Sequence, residues 1–251
     1  ELRQWKQGEV VQLKLSYKVV NPTCAPIFLD TADTTNMVTD NEPERARYWL
    51  ACIDAPSVRP TYVLNITSSD PEATILPNGE LVVSEKTETQ ATSTWKISFP
   101  CPSYLVCIAI GRMVKQEARS VAVLNQPEKL IPIAYFGCEG MTAEDLNVSF
   151  GNTPEIMEWM QRRLNVPFPY TDKYYQVCHP YVPSAMENMT LVSWGAPYLV
   201  NKDWKEEIGL DTEVINAHEM AHSYFGNSVG IRHFDHAWLK ESWADYMECC
   251  W

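Results

Sequence analysis

Near its C-terminal end the chain reads Ala217-His218-Glu219-Met220-Ala221-His222. On a helix, residues four apart stand on one face. His218 and His222 therefore aim two imidazoles at one spot, with Glu219 beside them. That spacing suits a zinc ion held by two histidines, with a carboxylate placed to take a proton from water at the metal. The flanking residues predict a helix. Asp211 or Thr212 caps its start, Val214, Ile215, Ala217 and Ala221 are its apolar positions, and Gly226 ends it. Eighteen residues separate His222 from Glu241 in Ala237-Trp238-Leu239-Lys240-Glu241-Ser242-Trp243-Ala244-Asp245. This segment also predicts a helix, with Trp238, Leu239, Trp243 and Met247 as apolar positions. Its Glu241 is the candidate third ligand. Two histidines and one carboxylate leave a fourth position open on one Zn²⁺ ion, which is the pattern of a catalytic site. The competing reading is a polar helix with two unrelated histidines, and the second helix with its glutamate argues against it.

Composition excludes some partners. A net charge of −12 with no lysine or arginine run argues against nucleic acid and anionic membranes. The longest apolar run, Tyr104 to Ile110, is too short to span a bilayer. The eight cysteines form no C-x-x-C pair and suit buried thiols better than a disulfide framework, which favours a cytoplasmic location over export. No signal peptide is visible, and a start at Glu1 implies an upstream segment removed or not included. Sequons at Asn65, Asn147 and Asn188 are weakly informative.

The fold class expected is α+β. Residues 9 to 20 alternate, with Val11, Leu13, Leu15, Tyr17 and Val19 on one side, and predict a half-buried strand. Strand-like runs follow at 62–67, 74–76, 81–84, 94–99, 104–110, 120–124 and 131–136, and Pro77-Asn78-Gly79 is a turn. This half, residues 1–138, reads as an all-β saddle or sandwich. The boundary is placed at Gly137 to Met141. Beyond it, Thr153-Pro154-Glu155 starts a helix carrying Ile156, Trp159, Met160 and Leu164, and strands are expected at 174–178 and 190–193. Residues 139–251 form the second domain.

His-Glu-Met-Ala-His, followed by Ser-Tyr-Phe-Gly-Asn and then Trp-Leu-Lys-Glu, resembles the zinc aminopeptidases of the aminopeptidase N and leukotriene hydrolase family. Ser184-Ala185-Met186-Glu187-Asn188 resembles that family's Gly-Ala-Met-Glu-Asn motif, with Ser in place of Gly. The stretch from Glu42 to Pro56 resembles its segment ending Pro-Cys-x-Asp-Glu-Pro, with Glu42 twelve residues before Asp54. The resemblance covers most of the chain, weakly in the first forty residues. It implies a thermolysin-like zinc catalytic domain, here partial. It also implies that Glu187, and Glu42 with it, bind a substrate's free α-amino group, and that the backbone at Ala185 and Met186 aligns the substrate. A charge-assisted hydrogen bond from ammonium to carboxylate in a partly dry pocket is strong, and fixing the amine near the metal selects removal of the first residue. Arg47 and Asp54 read as structural, His233 and His236 as loop residues, and Asp245 as an orienter of a ligating histidine or a solvated acid. Lys240, Ser242, Ser223 and Tyr224 depart from the family's usual residues.

The activity implied is zinc-dependent hydrolysis of the N-terminal residue of peptides, with Glu219 as general base. The family also uses a tyrosine well downstream of the metal glutamate as oxyanion donor, and a helical C-terminal domain. Only ten residues follow Glu241, so the segment by itself is expected to bind zinc and turn over poorly. Three alternatives stay open: a catalytically weak or inactive scaffold subunit of a larger assembly, a zinc endopeptidase, and an epoxide-hydrolysing member.

Overall fold

The computed structural model describes residues 6–30, 35–138 and 140–251. The first half builds two antiparallel sheets. One has the order β1 (Pro26–Asp30), β2 (Thr35–Thr39), β7 (Ile108–Gly111), β4 (Thr74–Pro77). The other has β6 (Ala91–Ile97) between β3 (Tyr62–Ser68) and β5 (Glu80–Lys86). β3 alternates half-buried and exposed residues along its length, as a strand with one solvated face should. β9 (Val121–Val123) and β10 (Gln126–Ile131) form a separate hairpin.

The second half is organised on a mixed five-stranded sheet in the order β13 (Ala185–Met186), β14 (Leu191–Trp194), β12 (Tyr174–Cys178), β11 (Ile133–Cys138), β8 (Met113–Glu117). The central three strands are parallel, and β8 and β13 are antiparallel edges. Every residue of β11 is buried, which fits a parallel strand covered on both faces. The expected boundary at residues 137–141 overlaps the last two residues of β11 and precedes α1 (Ala143–Phe150), and the sheet draws on both sides of it, since β8 and β11 begin before it.

The helices cover one side of this sheet. α1 packs on β8 and β11, α2 (Thr153–Leu164) on β9, and α3 (Lys205–His222) on α1, α2 and, most extensively, α4 (Ala237–Cys250). Pro154 sits in the first turn of α2, where its missing N–H costs nothing, and Asn165 closes the helix in the left-handed region at φ 54°. One core runs through both halves. It joins Ile97, Leu105 and Val106 to Phe150, Trp194, Met220 and Ala244, so α3 and α4 are seated on a continuous apolar mass. Polar ties reinforce the seam: the Gly79 amide donates to Thr190 Oγ1 at 2.9 Å, and Asn78 donates to the Leu105 carbonyl at 3.1 Å.

Several expectations are corrected. Residues 9–20 form no strand and are exposed, Leu13 at 68%. Alternation makes a strand only when a neighbouring edge accepts its ladder bonds, and the described residues offer this segment none. It is tied instead by the Ala51 amide donating to the Tyr17 hydroxyl at 3.1 Å. In the run 104–110, Ser103–Leu105 form a single 3₁₀ turn after Pro102 and the strand begins only at Ile108. α3 starts six residues before Asp211, at Lys205, and ends at His222. Its early turns are exposed and carry no apolar stripe, so periodicity could not reveal them. Gly226 lies four residues past the helix at φ 123°.

The apolar positions expected for α4 are also largely on the wrong face. Trp238 is 62% exposed, and Leu239 and Trp243 are exposed too, while Lys240, Ala244 and Met247 face inward. The helix therefore turns a lysine into the protein.

Candidate active site

The last turns of α3 bury Ala217, Met220 and Ala221 in the core, which sets Glu219 and His222 at the inner edge of the cleft. His218 stands one turn before His222. The two Nε2 atoms lie 3.0 Å apart, and Glu241 Oε2 of α4 lies 3.4 Å from one and 3.3 Å from the other. A tetrahedral zinc with bonds of 2.0–2.1 Å needs its donor atoms about 3.3 Å apart. The three atoms form a triangle of that size, so the donor set fits a zinc ion in both chemistry and spacing. The negative end of the α3 dipole also favours a cation here.

Both imidazoles are held by their other nitrogen. His218 Nδ1 lies 2.8 Å from Glu248 Oε2 and 3.2 Å from Asp245 Oδ1, and His222 Nδ1 lies 3.0 Å from the Phe225 carbonyl. With acceptors at both Nδ1 positions, the lone pairs of the neutral rings point from Nε2 to the common centre. Asp245 lies within reach of the His218 ring, at longer range than Glu248, which sequence reasoning did not single out. The signal was available: Glu241, Asp245 and Glu248 are spaced four and three apart, so they share one face of α4.

The electrostatics of the metal-free cluster are those of mutually paired ions. Burial alone would lower the His222 pKa, but the carboxylates of Glu187, Glu241 and Glu219 outweigh it and hold the ring at about 9. Burial would raise Glu241, yet its hydrogen bonds to His218 and His222 keep it well below the carboxylate range. Glu219 is itself buried, and burial pushes its carboxyl up to about 7. Its Oε2 has no hydrogen-bond partner among the described residues.

The residues expected to hold a substrate lie on the other side of this cluster. Ala185 and Met186 form the edge strand β13, which pairs only with β14 among the described residues, so its outer edge can receive an extended peptide. Met186 is buried and Ala185 half-buried, with Glu42, Asp40 and Ser184 along the same groove. Glu187 follows directly and is buried, its backbone carbonyl accepting from Asn227 Nδ2 at 2.8 Å. Glu187 Oε1 and Glu42 Oε1 do converge, and both meet Lys240. The Lys240 ammonium lies 2.6 Å from Glu187 Oε1 and 2.9 Å from Glu42 Oε1, and it also donates to Glu241 Oε1. A lysine in this role was not anticipated from the sequence.

The remaining candidates are peripheral. His233 is exposed and pairs with Asp235 at 3.0 Å, and His236 lies just before α4, so neither joins the cluster. Asp54 accepts from the Arg47 amide and Nε and, at 2.6 Å, from the Ser103 hydroxyl, a structural knot in the β half. Asn188 is buried with its amide 3.0 Å from Ser193 Oγ, a position no glycan can reach. Beside the cluster, Phe225, Val229, Ile231, Leu239 and Trp243 line an apolar cavity of about 440 Å³. No described helix is long and apolar enough to cross a membrane.

With this geometry in place, the chain can be set beside known proteins. The profile of the peptidase family M1 domain matches residues 148–251, and that of the peptidase M1 N-terminal domain matches residues 2–105. Leucine aminopeptidase 2 of Pyricularia oryzae is 29% identical over 252 residues, covering 96% of this chain and 37% of the relative. The protein of the same name in Aspergillus terreus is 30% identical, covering 97% and 37%. Glutamyl aminopeptidase of Homo sapiens is 26% identical over 84% of this chain and 22% of its own length. Among solved structures, aminopeptidase A of Legionella pneumophila, in complex with aspartic acid, shares the fold with a TM-score of 0.80 at 21% identity, over 91% of this chain and 27% of that one. An M1 zinc metallopeptidase from Deinococcus radiodurans does so with a TM-score of 0.72 at 22% identity, over 90% and 48%. The chain thus spans little more than a third of the length of the leucine aminopeptidases it matches. Its two halves match the two domain profiles in their family order, around a cluster of two histidines and a glutamate, and the chain belongs to the M1 peptidase family.

Proposed function

We propose that the protein is a zinc-dependent aminopeptidase. His218, His222 and Glu241 would hold one Zn²⁺, and the convergence of their three donor atoms at 3.0–3.4 Å is the observation that carries the reading. A zinc ion held there supplies Lewis acidity, polarising a carbonyl and acidifying water. Glu219 is the base. Its buried carboxyl stands beside the histidine pair, where it would accept a proton from the attacking water and return it to the departing amine. β13 aligns an extended substrate through its free edge at Ala185 and Met186. Glu187, with Glu42, presents carboxylates of the kind an α-ammonium requires, and in this chain they are shared with the Lys240 ammonium.

Other parts of the reading concern the whole protein. Residues 1–138 and 139–251 are proposed as its two domains here, with β8 and β11 lending strands to the second. The leucine and glutamyl aminopeptidases it resembles give no support to the alternative of a non-catalytic scaffold subunit. The test is hydrolysis of an amino-acyl anilide by the full-length protein, with and without a chelator. The expected result is turnover that chelation abolishes and zinc restores. Turnover indifferent to chelation overturns the reading, as does no turnover by protein that contains zinc.

A further inference from the structure

Lys240 is a buried lysine on the inward face of α4, beside Ala244 and Met247. Its aliphatic stem is laid over Gly226: a Cβ added at Gly226 would stand 3.2 Å from Lys240 Cδ and 3.3 Å from its Cβ. A side chain there would press on the stem, and the left-handed backbone at φ 123° asks for glycine. The stem is therefore held by packing, and it delivers the ammonium to one place.

That place is a cage of three carboxylates from three separate segments. Glu42 comes from the loop after β2, Glu187 from the end of β13 and Glu241 from α4, and one carboxylate oxygen of each lies within 4.8 Å of the others. The Lys240 ammonium has three protons and three acceptors: Glu187 Oε1 at 2.6 Å, Glu42 Oε1 at 2.9 Å and Glu241 Oε1. The cage adjoins the histidine pair, since Glu187 Oε1 is 4.0 Å from His222 Nδ1 and Glu241 supplies its other oxygen to both Nε2 atoms. It also adjoins the β13 groove through Glu42.

From this arrangement we infer that Lys240 is a specificity-determining residue: its ammonium fills the only fully formed ammonium site beside the cluster among the described residues, and so competes from within against a ligand's free amino group. The inference rests on the proposed function only for the identity of the ligand. A tethered cation loses no translational freedom on occupying the cage, whereas a ligand must give up that freedom to take its place. A ligand ammonium entering without displacement would lie close to a like charge in a partly dry site. Either course removes most of the advantage that a charge-assisted bond to Glu187 would give a free amine. The protein should therefore recognise its ligand mainly by side chain and backbone, and discriminate weakly between free and absent amino groups.

The test compares two probes of the same shape, L-leucinamide and its deamino counterpart 4-methylpentanamide, by ligand-observed NMR titration of the full-length protein, with Glu219→Gln present throughout so that the amide is not consumed. With Lys240 intact the expected affinities agree within about threefold. In Lys240→Met the amine should be preferred by about tenfold or more, the amount a charge-assisted bond commonly confers. Lys240→Met leaves buried acids uncompensated, so a second variant, Lys240→Met with Glu42→Gln, removes one positive and one negative charge together and keeps Glu187. It should show the same gain. A tenfold amine preference already present with Lys240 intact overturns the inference, as does no gain in a folded variant. Absence of peptide hydrolysis would refute the peptidase reading without changing these ratios, so the two failures are distinguishable.

Discussion

Glu248 Oε2 lies 2.8 Å from His218 Nδ1, across the α3–α4 contact, and fixes the ring so that Nε2 faces His222 and Glu241. A ligand histidine held in this way is pre-oriented and more basic than a free one. Glu248→Ala should therefore weaken zinc binding about 10- to 100-fold with the three donors intact. Competition against a chromogenic chelator reads the change. An unchanged affinity would show that Asp245 or water replaces it.

Zinc uptake should depend steeply on pH. In the metal-free protein the His222 pKa is held at about 9, above its ordinary 6.5. A raised histidine pKa contributes stability that is fully present below about pH 6.5 and is lost as pH rises through about 9. The metal takes the neutral ring. Zinc affinity should rise with pH up to about 9, while the Tm of chelator-treated protein falls across the same interval. Proton release measured by calorimetry in buffers of different ionisation enthalpy checks the sign.

Glu219→Gln separates chemistry from binding. It keeps the shape of a buried side chain while removing the proton acceptor, so turnover should fall by about two to four orders of magnitude, with zinc content unchanged. A fall in metal content would instead place Glu219 among the supports of the site.

Gly226 serves both halves of the cleft. Gly226→Ala must place a methyl against the Lys240 stem in a backbone region that disfavours side chains. It should cost about 1–3 kcal/mol, visible as a lower Tm in the metal-free protein. Asp54→Ala, which strips partners from Ser103 and the Arg47 amide, should cost a similar amount, about 1–3 kcal/mol, with no effect on zinc affinity.

Much of the site was legible because helical spacing is a local property. His218 and His222, four apart, and Glu241 on a second helix were readable from side-chain periodicity, and the strands at 62–67 and 174–178 from runs of β-branched and aromatic residues. What failed depended on partners far away in sequence. Alternation at residues 9–20 could not say whether an edge was there to receive it. Trp238, Leu239 and Trp243 looked like the inner face of α4 because apolar residues usually are. The inner face was settled instead by three acids, two of them from distant segments, which made a buried Lys240 favourable. Short β8 and α1, with neither a long run nor a strong stripe, left no mark before the sheet was known.

The most direct test of the central claim is zinc stoichiometry in the full-length protein and in Glu241→Ala, measured by atomic emission after dialysis. The account expects one zinc per chain, with affinity in the variant reduced by at least two orders of magnitude because the remaining histidine pair cannot close the triangle. Full zinc occupancy in Glu241→Ala at unchanged affinity would contradict it, by showing that the ion sits somewhere other than between α3 and α4.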